Sequence, residues 1–379
     1  MLLRTQICLL AISLLYPCGA QAGKMTFDGK LSEKGTWDSN PLMLVQDEKE
    51  LYGSTTSADL SLKNETPTLE LEIKGGISQN LFNQTKFNST DGYGKTILSK
   101  KMQRWNLSLQ GNVDYDTTRT NEITTFGQDI GSVRRFNYGA APKISFDVTE
   151  KGKIELEAAY EKTIYDSSSL TNYSIASATP AYTYQLTPED KAIISIDLRR
   201  YEALNSSKTR INSIAPSAGW IFELTPRITG KLLAGTNASQ EKTKGTKIEK
   251  WKWNNIYTAE IAYYGKQTQT SLAFSREQQP YANGQEAFLT GVKLTGKQEI
   301  NKALWLNLSA SYQHGEASGS TSLKNKLEAG AGISYAVLPE LDLAANYKYK
   351  SESLHSRASI AEANIGLLKI IWHPTNLIN

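Results

Sequence analysis

From about residue 26 to Trp372 this chain alternates apolar and polar residues, and no apolar run is long enough to core a helix. Arg104 to Tyr115 shows the pattern best. Trp105, Leu107, Leu109, Gly111, Val113 and Tyr115 fall on one face; Asn106, Ser108, Gln110, Asn112 and Asp114 fall on the other. Side chains of a strand alternate faces with period two, so such a segment has one apolar wall and one wet wall. Many strands of this kind in series, ending on an aromatic residue, predict an all-β fold: a transmembrane antiparallel up-and-down β-barrel with lipid outside and water inside.

The ends of the chain agree with export. Arg4 supplies a positive start, Ile7 to Leu15 an apolar stretch, and Ala20-Gln21-Ala22 a small-x-small cleavage site. Residues 1–22 therefore read as a signal peptide, and 23–379 as one outer-membrane barrel. The apolar stretch is short of the roughly 20 residues a spanning helix needs. Both cysteines, Cys8 and Cys18, lie in the segment to be removed, which excludes disulfides and cysteine chemistry from the mature chain. The mean hydropathy of -0.42 argues against a helical membrane protein but not against a barrel, half of whose strand residues are polar. A net charge of +4 is too small to suggest nucleic acid as a partner.

Strands are expected at roughly 26–37, 56–63, 68–79, 93–101, 104–115, 133–148, 153–165, 173–186, 191–201, 209–224, 227–238, 253–265, 268–277, 286–300, 303–314, 323–338, 341–351 and 358–372. Their connections alternate. Tight turns such as Thr187-Pro188-Glu189-Asp190 and Thr225-Pro226 interleave with long polar loops at Asn80 to Gly92, Asp116 to Ser132, Ser239 to Lys252 and Gln278 to Gln285. Short turns belong to the periplasmic rim and long loops to the outer rim. A chain that enters and leaves on the periplasmic side needs an even number of strands. That parity recruits the weak first segment and favours about 18 strands over 16, wide enough for an aqueous lumen. A repeat of about 38 residues recurs at Ala141-Pro142, Thr179-Pro180 and Ala215-Pro216. Because proline removes a ladder donor, it is expected to mark a bulge shared by several descending strands.

Several stretches resemble the type-2 β-barrel porin family, outer-membrane proteins found with bacterial exopolysaccharide systems. They are Trp37-Asp38-Ser39-Asn40-Pro41, Phe87-Asn88-Ser89-Thr90-Asp91, Tyr115 to Glu122, Thr179 to Pro188 and Arg199-Arg200-Tyr201. The resemblance covers most of the chain after residue 22 and implies fold and location. It carries no catalytic or binding residues. It makes polysaccharide a candidate cargo and exopolysaccharide-export components candidate partners, beside outer-membrane lipid, lipopolysaccharide and the barrel-insertion machinery. The tail from His373 to Asn379 departs from the barrel habit of ending on the aromatic residue.

The wet faces project charges of both signs. Glu155, Glu157 and Glu161 lie on one strand, Asp197 and Arg199 on a neighbour, and Lys293, Lys324, Lys326, Lys348 and Lys350 on later strands. Acid early and lysine late suggests a transverse field across a pore. The plainer reading is a solvated wall whose charges pair across strands. The lysine-rich loop Glu241 to Trp253 suits anionic glycan or lipid phosphate, or is simply a solvated loop at the outer girdle. The sites expected are therefore lumen charges alone, with no cofactor, metal or catalytic residue. The expected function is a pore for hydrophilic solutes rather than an enzyme. A surface adhesion barrel with a plugged lumen is the alternative, and a barrel lipase or deacylase built on His314, Glu316 and Ser318 is third.

Overall fold

The computed structural model describes residues 23–46, 48–118, 132–168, 170–204, 209–243, 245, 250–280, 286–316, 323–355 and 359–374. Residues 1–22, read above as a signal peptide, lie outside them. The chain is a closed antiparallel barrel of 18 strands. In order they are β1 (Lys24–Asp38), β2 (Leu51–Glu65), β3 (Leu69–Phe82), β4 (Ser89–Lys101), β5 (Trp105–Thr117), β6 (Arg134–Asp147), β7 (Gly152–Tyr165), β8 (Tyr173–Gln185) and β9 (Asp190–Ala203). The second half comprises β10 (Arg210–Thr225), β11 (Ile228–Lys242), β12 (Lys252–Tyr264), β13 (Thr268–Pro280), β14 (Glu286–Asn301), β15 (Leu304–Gly315), β16 (Leu323–Leu338), β17 (Leu341–Leu354) and β18 (Ala361–Trp372). Every strand pairs with its sequence neighbours, and β1 closes the ring on β18 from Leu31↔Trp372 to Asp38↔Ile365. Closure leaves no sheet edge along that seam and satisfies the backbone within the wall, the condition for a sheet that meets hydrocarbon.

Period-two alternation sorts the side chains as expected. Leu107, Leu109, Val113 and Tyr115 of β5 are exposed on the outside, as are Ile194, Ile196 and Leu198 of β9 and Leu343 and Tyr347 of β17. Between the strands, tight turns are closed by short side-chain bonds. Thr66 Oγ1 accepts from Leu69 N at 2.9 Å, and Thr149 Oγ1 accepts from Gly152 N at 2.8 Å.

The repeated prolines do not make bulges. Around Pro142, the pairs Ala140↔Tyr160 and Lys143↔Glu157 keep one register; around Pro180, so do Ala178↔Leu198 and Ala181↔Ser195; around Pro216, so do Ile214↔Ala238 and Ser217↔Gly235. Each proline interrupts the ladder only toward the following strand, because that is where its missing N–H would have pointed. The ladder toward the preceding strand continues through Leu109↔Pro142, Leu156↔Pro180 and Pro216↔Ile196. Register shifts fall elsewhere, among them one between Leu323 and Asn325.

Candidate functional site

The candidate site is the lumen and the segments that fold into it. Glu155, Glu157 and Glu161 share the inward face of β7, opposite in phase to the exposed Ile154, Leu156 and Tyr160. Glu155 is held by Lys143 at 3.2 Å and Lys153 at 3.0 Å, and Glu161 accepts from Asn137 Nδ2 at 2.6 Å. Glu157 reaches Lys143 only at 3.9 Å and stays half exposed, so its charge is the least compensated of the three. On β9, Asp197 accepts from the Thr179 hydroxyl at 2.8 Å.

Lysines gather on the far side of the ring, since β16 is nine strands from β7 in a ring of 18. Lys326 meets Glu328 at 3.0 Å, Glu328 meets Lys348 at 3.0 Å, and Lys350 meets Glu352 at 2.7 Å. Lys326 and Lys350 are buried in this network, whereas Lys348 keeps more than a third of its side chain exposed. The lysines are thus partly neutralised by Glu328 and by Glu352. Asp342 plays no part in this network: it binds His373 at 3.2 Å, close to the Pro339-Glu340 turn. Lys324 does not join the cluster. It is the extra residue at the bulge between Leu323 and Asn325, and its side chain is exposed. Lys293 sits on the inward phase of β14, and none of the ion pairs among the described residues includes it.

Two lysines that the sequence reading passed over extend this wall. Lys34 of β1 lies directly opposite Lys369 of β18, and Lys34 shares a lumenal cavity with Lys348 and Lys350. Asp38 and Glu328 line the same cavity, and Asp59 of β2 acts on Lys369, so this wall carries acid beside its lysines.

The lumen is narrowed in two places. The first is a ribbon. The β12–β13 ladder runs from Tyr264↔Gln269 only as far as Tyr257↔Arg276, and among the described residues β14 meets β15 from Leu289↔Gly315, with one further bond from Glu316 N to Phe288 O at 3.0 Å. Yet β13 and β14 stay paired to Pro280↔Glu286. The free end of this hairpin leaves the wall. Asn237 Nδ2 of β11 donates to Gln278 Oε1 at 2.6 Å, and Gln278 Nε2 donates to Glu286 Oε2 at 3.0 Å. Glu286, fully buried, forms an ion pair with Arg199 of β9. Strands β9 and β14 are five apart, or ~24 Å around the wall at the usual strand spacing. Only a segment folding inward brings these two side chains together. Beside Arg199, the inward Tyr201 is fully buried in a cluster with Tyr165, Leu170, Tyr173, Ala203 and Ile211.

The second narrowing is the segment between β1 and β2. Asn40 is buried and clamps it. Its Nδ2 donates to Leu44 O at 2.7 Å and Glu362 O at 2.9 Å, and its Oδ1 accepts from Leu44 N at 2.9 Å. This turn holds Met43 at φ 48, a left-handed conformation uncommon for a non-glycine residue, with its side chain buried against Ala361 and Ala363. Asn40, Pro41 and Met43 roof the cavity that Lys34, Lys348 and Lys350 line.

The other candidates are dispersed. His314 lies on the exposed outer phase of β15, where its Nδ1 and the Tyr312 hydroxyl share Asn325 Oδ1 at 2.9 Å. Glu316 is taken by Arg276 and does not orient His314. Ser318 lies outside the described residues. Asp116, at the head of the long connection to Ser132, is bound through two bonds of 2.9 Å to Arg135. Of the lysine-rich loop, Lys244 and Thr246 to Glu249 lie outside the described residues, while Trp251 and Trp253 are exposed.

No protein-family model matches the chain, and no curated protein matches it. Solved structures do. Pseudomonas aeruginosa OccK2 (OpdF), in complex with glucuronate, is similar at a TM-score of 0.52 with 9% identity, covering 94% of this chain and 99% of that one. Pseudomonas aeruginosa OpdO gives 0.51 with 10% identity over 93% and 98%. The FrpB iron transporter of Neisseria meningitidis gives 0.51 with 9% identity over 96% of this chain and 70% of that one. At such identity the likeness is one of fold.

Proposed function

We propose that the chain is an outer-membrane channel that passes small hydrophilic solutes, with a preference for anions. The observation that carries this reading is the sidedness of a closed wall: an apolar exterior with exposed Leu, Ile, Tyr and Trp, and an interior lined by Glu, Lys, Asn and Ser. Such a surface is at home only where hydrocarbon lies outside and water inside, and a closed barrel is one of two ways a backbone can cross a bilayer. Strands of 12 to 16 residues exceed the roughly 9–11 a tilted strand needs, which leaves several residues at each rim.

Diffusion through the water-filled lumen needs no conformational work. Selectivity would follow from the wall of Lys34, Lys348 and Lys369 facing the partly uncompensated Glu157, because fixed charges concentrate counter-ions and repel like charges. The ribbon at Glu286 and the Asn40 segment reduce the free section, which favours small solutes over a polymer. The glucuronate bound by OccK2, a small sugar acid, fits such a path. On this reading lipid, and lipopolysaccharide at the outer rim, would lie against the exposed girdle residues.

Liposome swelling with solutes of graded size tests the proposal. Monosaccharides should enter, and sugar acids faster than neutral sugars of equal size. Absence of swelling with every solute would mean a plugged lumen and favour the adhesion barrel.

A further inference from the structure

We infer that the inner wall of β9–β12 holds a binding niche, roofed by the inward ribbon, for a neutral solute rich in hydroxyl groups and the size of one sugar ring. The inference rests on the channel reading proposed above, which brings solutes to this wall, and it names a solute class for that reading. The niche exists because the ribbon turns its outer phase inward. Leu272 on β13 and Leu294 on β14 face outward. Gln278 and Glu286 continue the same phase, since Leu272↔Leu294, Gln278↔Phe288 and Pro280↔Glu286 follow one another by even steps in one register. Along the free end of the hairpin, that face meets Asn237 and Arg199 of the inner wall instead of lipid.

Between the two layers lies a cavity of about 260 Å³. Its floor is made of small residues: Ser213, Ala215 and Ser217 on β10 and Gly235 on β11. Such side chains fill little of the gap between two packed sheets, whose backbones stand ~10 Å apart. Leu233 and Ile256 add an apolar flank on which the C–H side of a ring can lie, and Gln278 comes from the ribbon.

Two side chains that line this cavity each keep a buried oxygen with no partner among the described residues: Ser213 Oγ and Asn237 Oδ1. Ser213 is only 4% exposed and Asn237 5%. The carboxylate of Glu286 decides which atom of Asn237 is left over. Glu286 Oε2 accepts from Gln278 Nε2, so Gln278 Oε1 turns to Asn237 Nδ2, and Asn237 Oδ1 remains unmet. A buried polar atom without a partner is costly, so each calls for a group from outside the chain. Asn237 Oδ1 needs a donor, and the Ser213 hydroxyl also needs an acceptor for its proton; neither serves the other. A hydroxyl is donor and acceptor at once, so a solute carrying several answers both. An ammonium group could not accept from Ser213. An anion would meet Asp197 and Glu277, which form no ion pair among the described residues, while Arg199 and Arg276 are committed to Glu286 and Glu316. Water could reach the same atoms, but the space holds roughly eight molecules at ~30 Å³ each. Two oxygens cannot order so many, whereas one ring brings its hydroxyls already spaced.

The probe is glucose, titrated against the purified barrel in a detergent without a sugar headgroup and read by saturation-transfer NMR. The parent should give a saturable signal, stronger than glucosamine or glucuronate gives at the same concentration. Ser213→Ala, which removes one of the two oxygens, should raise the Kd about tenfold. Ala215→Leu, which fills the floor, should abolish binding. Ser99→Val, on the inward phase of β4 and remote from the niche, should bind as the parent does. Heat-modifiable mobility and conductance in planar bilayers, measured on the same preparations, separate this inference from the channel reading. A conducting, heat-modifiable barrel with no saturable glucose signal has a niche for water only, which overturns the inference while sparing the channel. Glucose bound with the parent Kd by both Ser213→Ala and Ala215→Leu would put the sugar elsewhere and overturn it too. A stronger signal from glucosamine or glucuronate would make the niche a site for a charged sugar and overturn the neutral class. Heat-modifiable protein that binds glucose but conducts nothing would overturn the channel reading alone.

Discussion

Arg199 and Glu286 shape the lumen directly, because they join a ribbon from β13–β14 to the wall at β9. Removing one member of a buried pair strands the other and commonly costs about 3–5 kcal/mol. Glu286→Gln or Arg199→Gln should therefore release the ribbon, read in bilayer recordings as a larger and noisier conductance. The exchanged pair, Arg199→Glu with Glu286→Arg, should return toward the parent trace. Unchanged conductance in both single variants would show that the ribbon does not narrow the path. The lysines divide by environment. Neutralising Lys34, Lys348 and Lys369 together should move the reversal potential in a salt gradient toward cations, since they face the lumen around one cavity and its neighbouring wall. Lys326→Met should act differently. It leaves Glu328 and Glu352 short of a buried partner, so its first effect should be a lower unfolding midpoint in urea.

At the scale of the element, the strands were legible because a half-buried sheet writes its two faces into alternate residues. All 18 expected strands are present, and parity was right to recruit the weak first one, which pairs with both β2 and β18. The alternation predicts unequal tolerance. Leu107→Arg should block insertion, as a cation near the bilayer midplane costs roughly 2–4 kcal/mol, whereas Ser108→Arg should still fold. Equal loss of heat-modifiable mobility in both would contradict the assignment of faces. What the pattern could not show was where a strand leaves the wall. Gln278 and Glu286 continue the periodicity of β13 and β14, yet belong to the inward ribbon; nothing local marks the departure, which is decided by Arg199 and Asn237 on distant strands. The Asn40 segment was closer to view. Trp37 to Pro41 stood out as a motif, and its asparagine supplies the clamp. The proline repeat was seen but misjudged, because a missing donor can simply leave a gap in one ladder without shifting register.

For the whole molecule, the outer-membrane reading proposed above, with the alternation of tight turns and long connections, would put residues 187–190 in the periplasm. A protease tag within Ser239 to Lys252 should be cut on intact cells, and one at Thr187 to Asp190 should not; the reverse would invert the barrel. Overall charge said little, because selectivity depends on which charges remain uncompensated. Glu352 silences much of the late-strand lysine cluster, and Lys369 lies in the half of β18 that otherwise reads as apolar, Ile365 to Trp372. The central claim is an open aqueous path through a closed 18-stranded wall. Single-channel recording on the purified protein in planar bilayers tests it most directly. A stable, stepwise conductance with anion preference in a salt gradient is the predicted result, and no conductance at any voltage, from protein that shows heat-modifiable mobility, would contradict it.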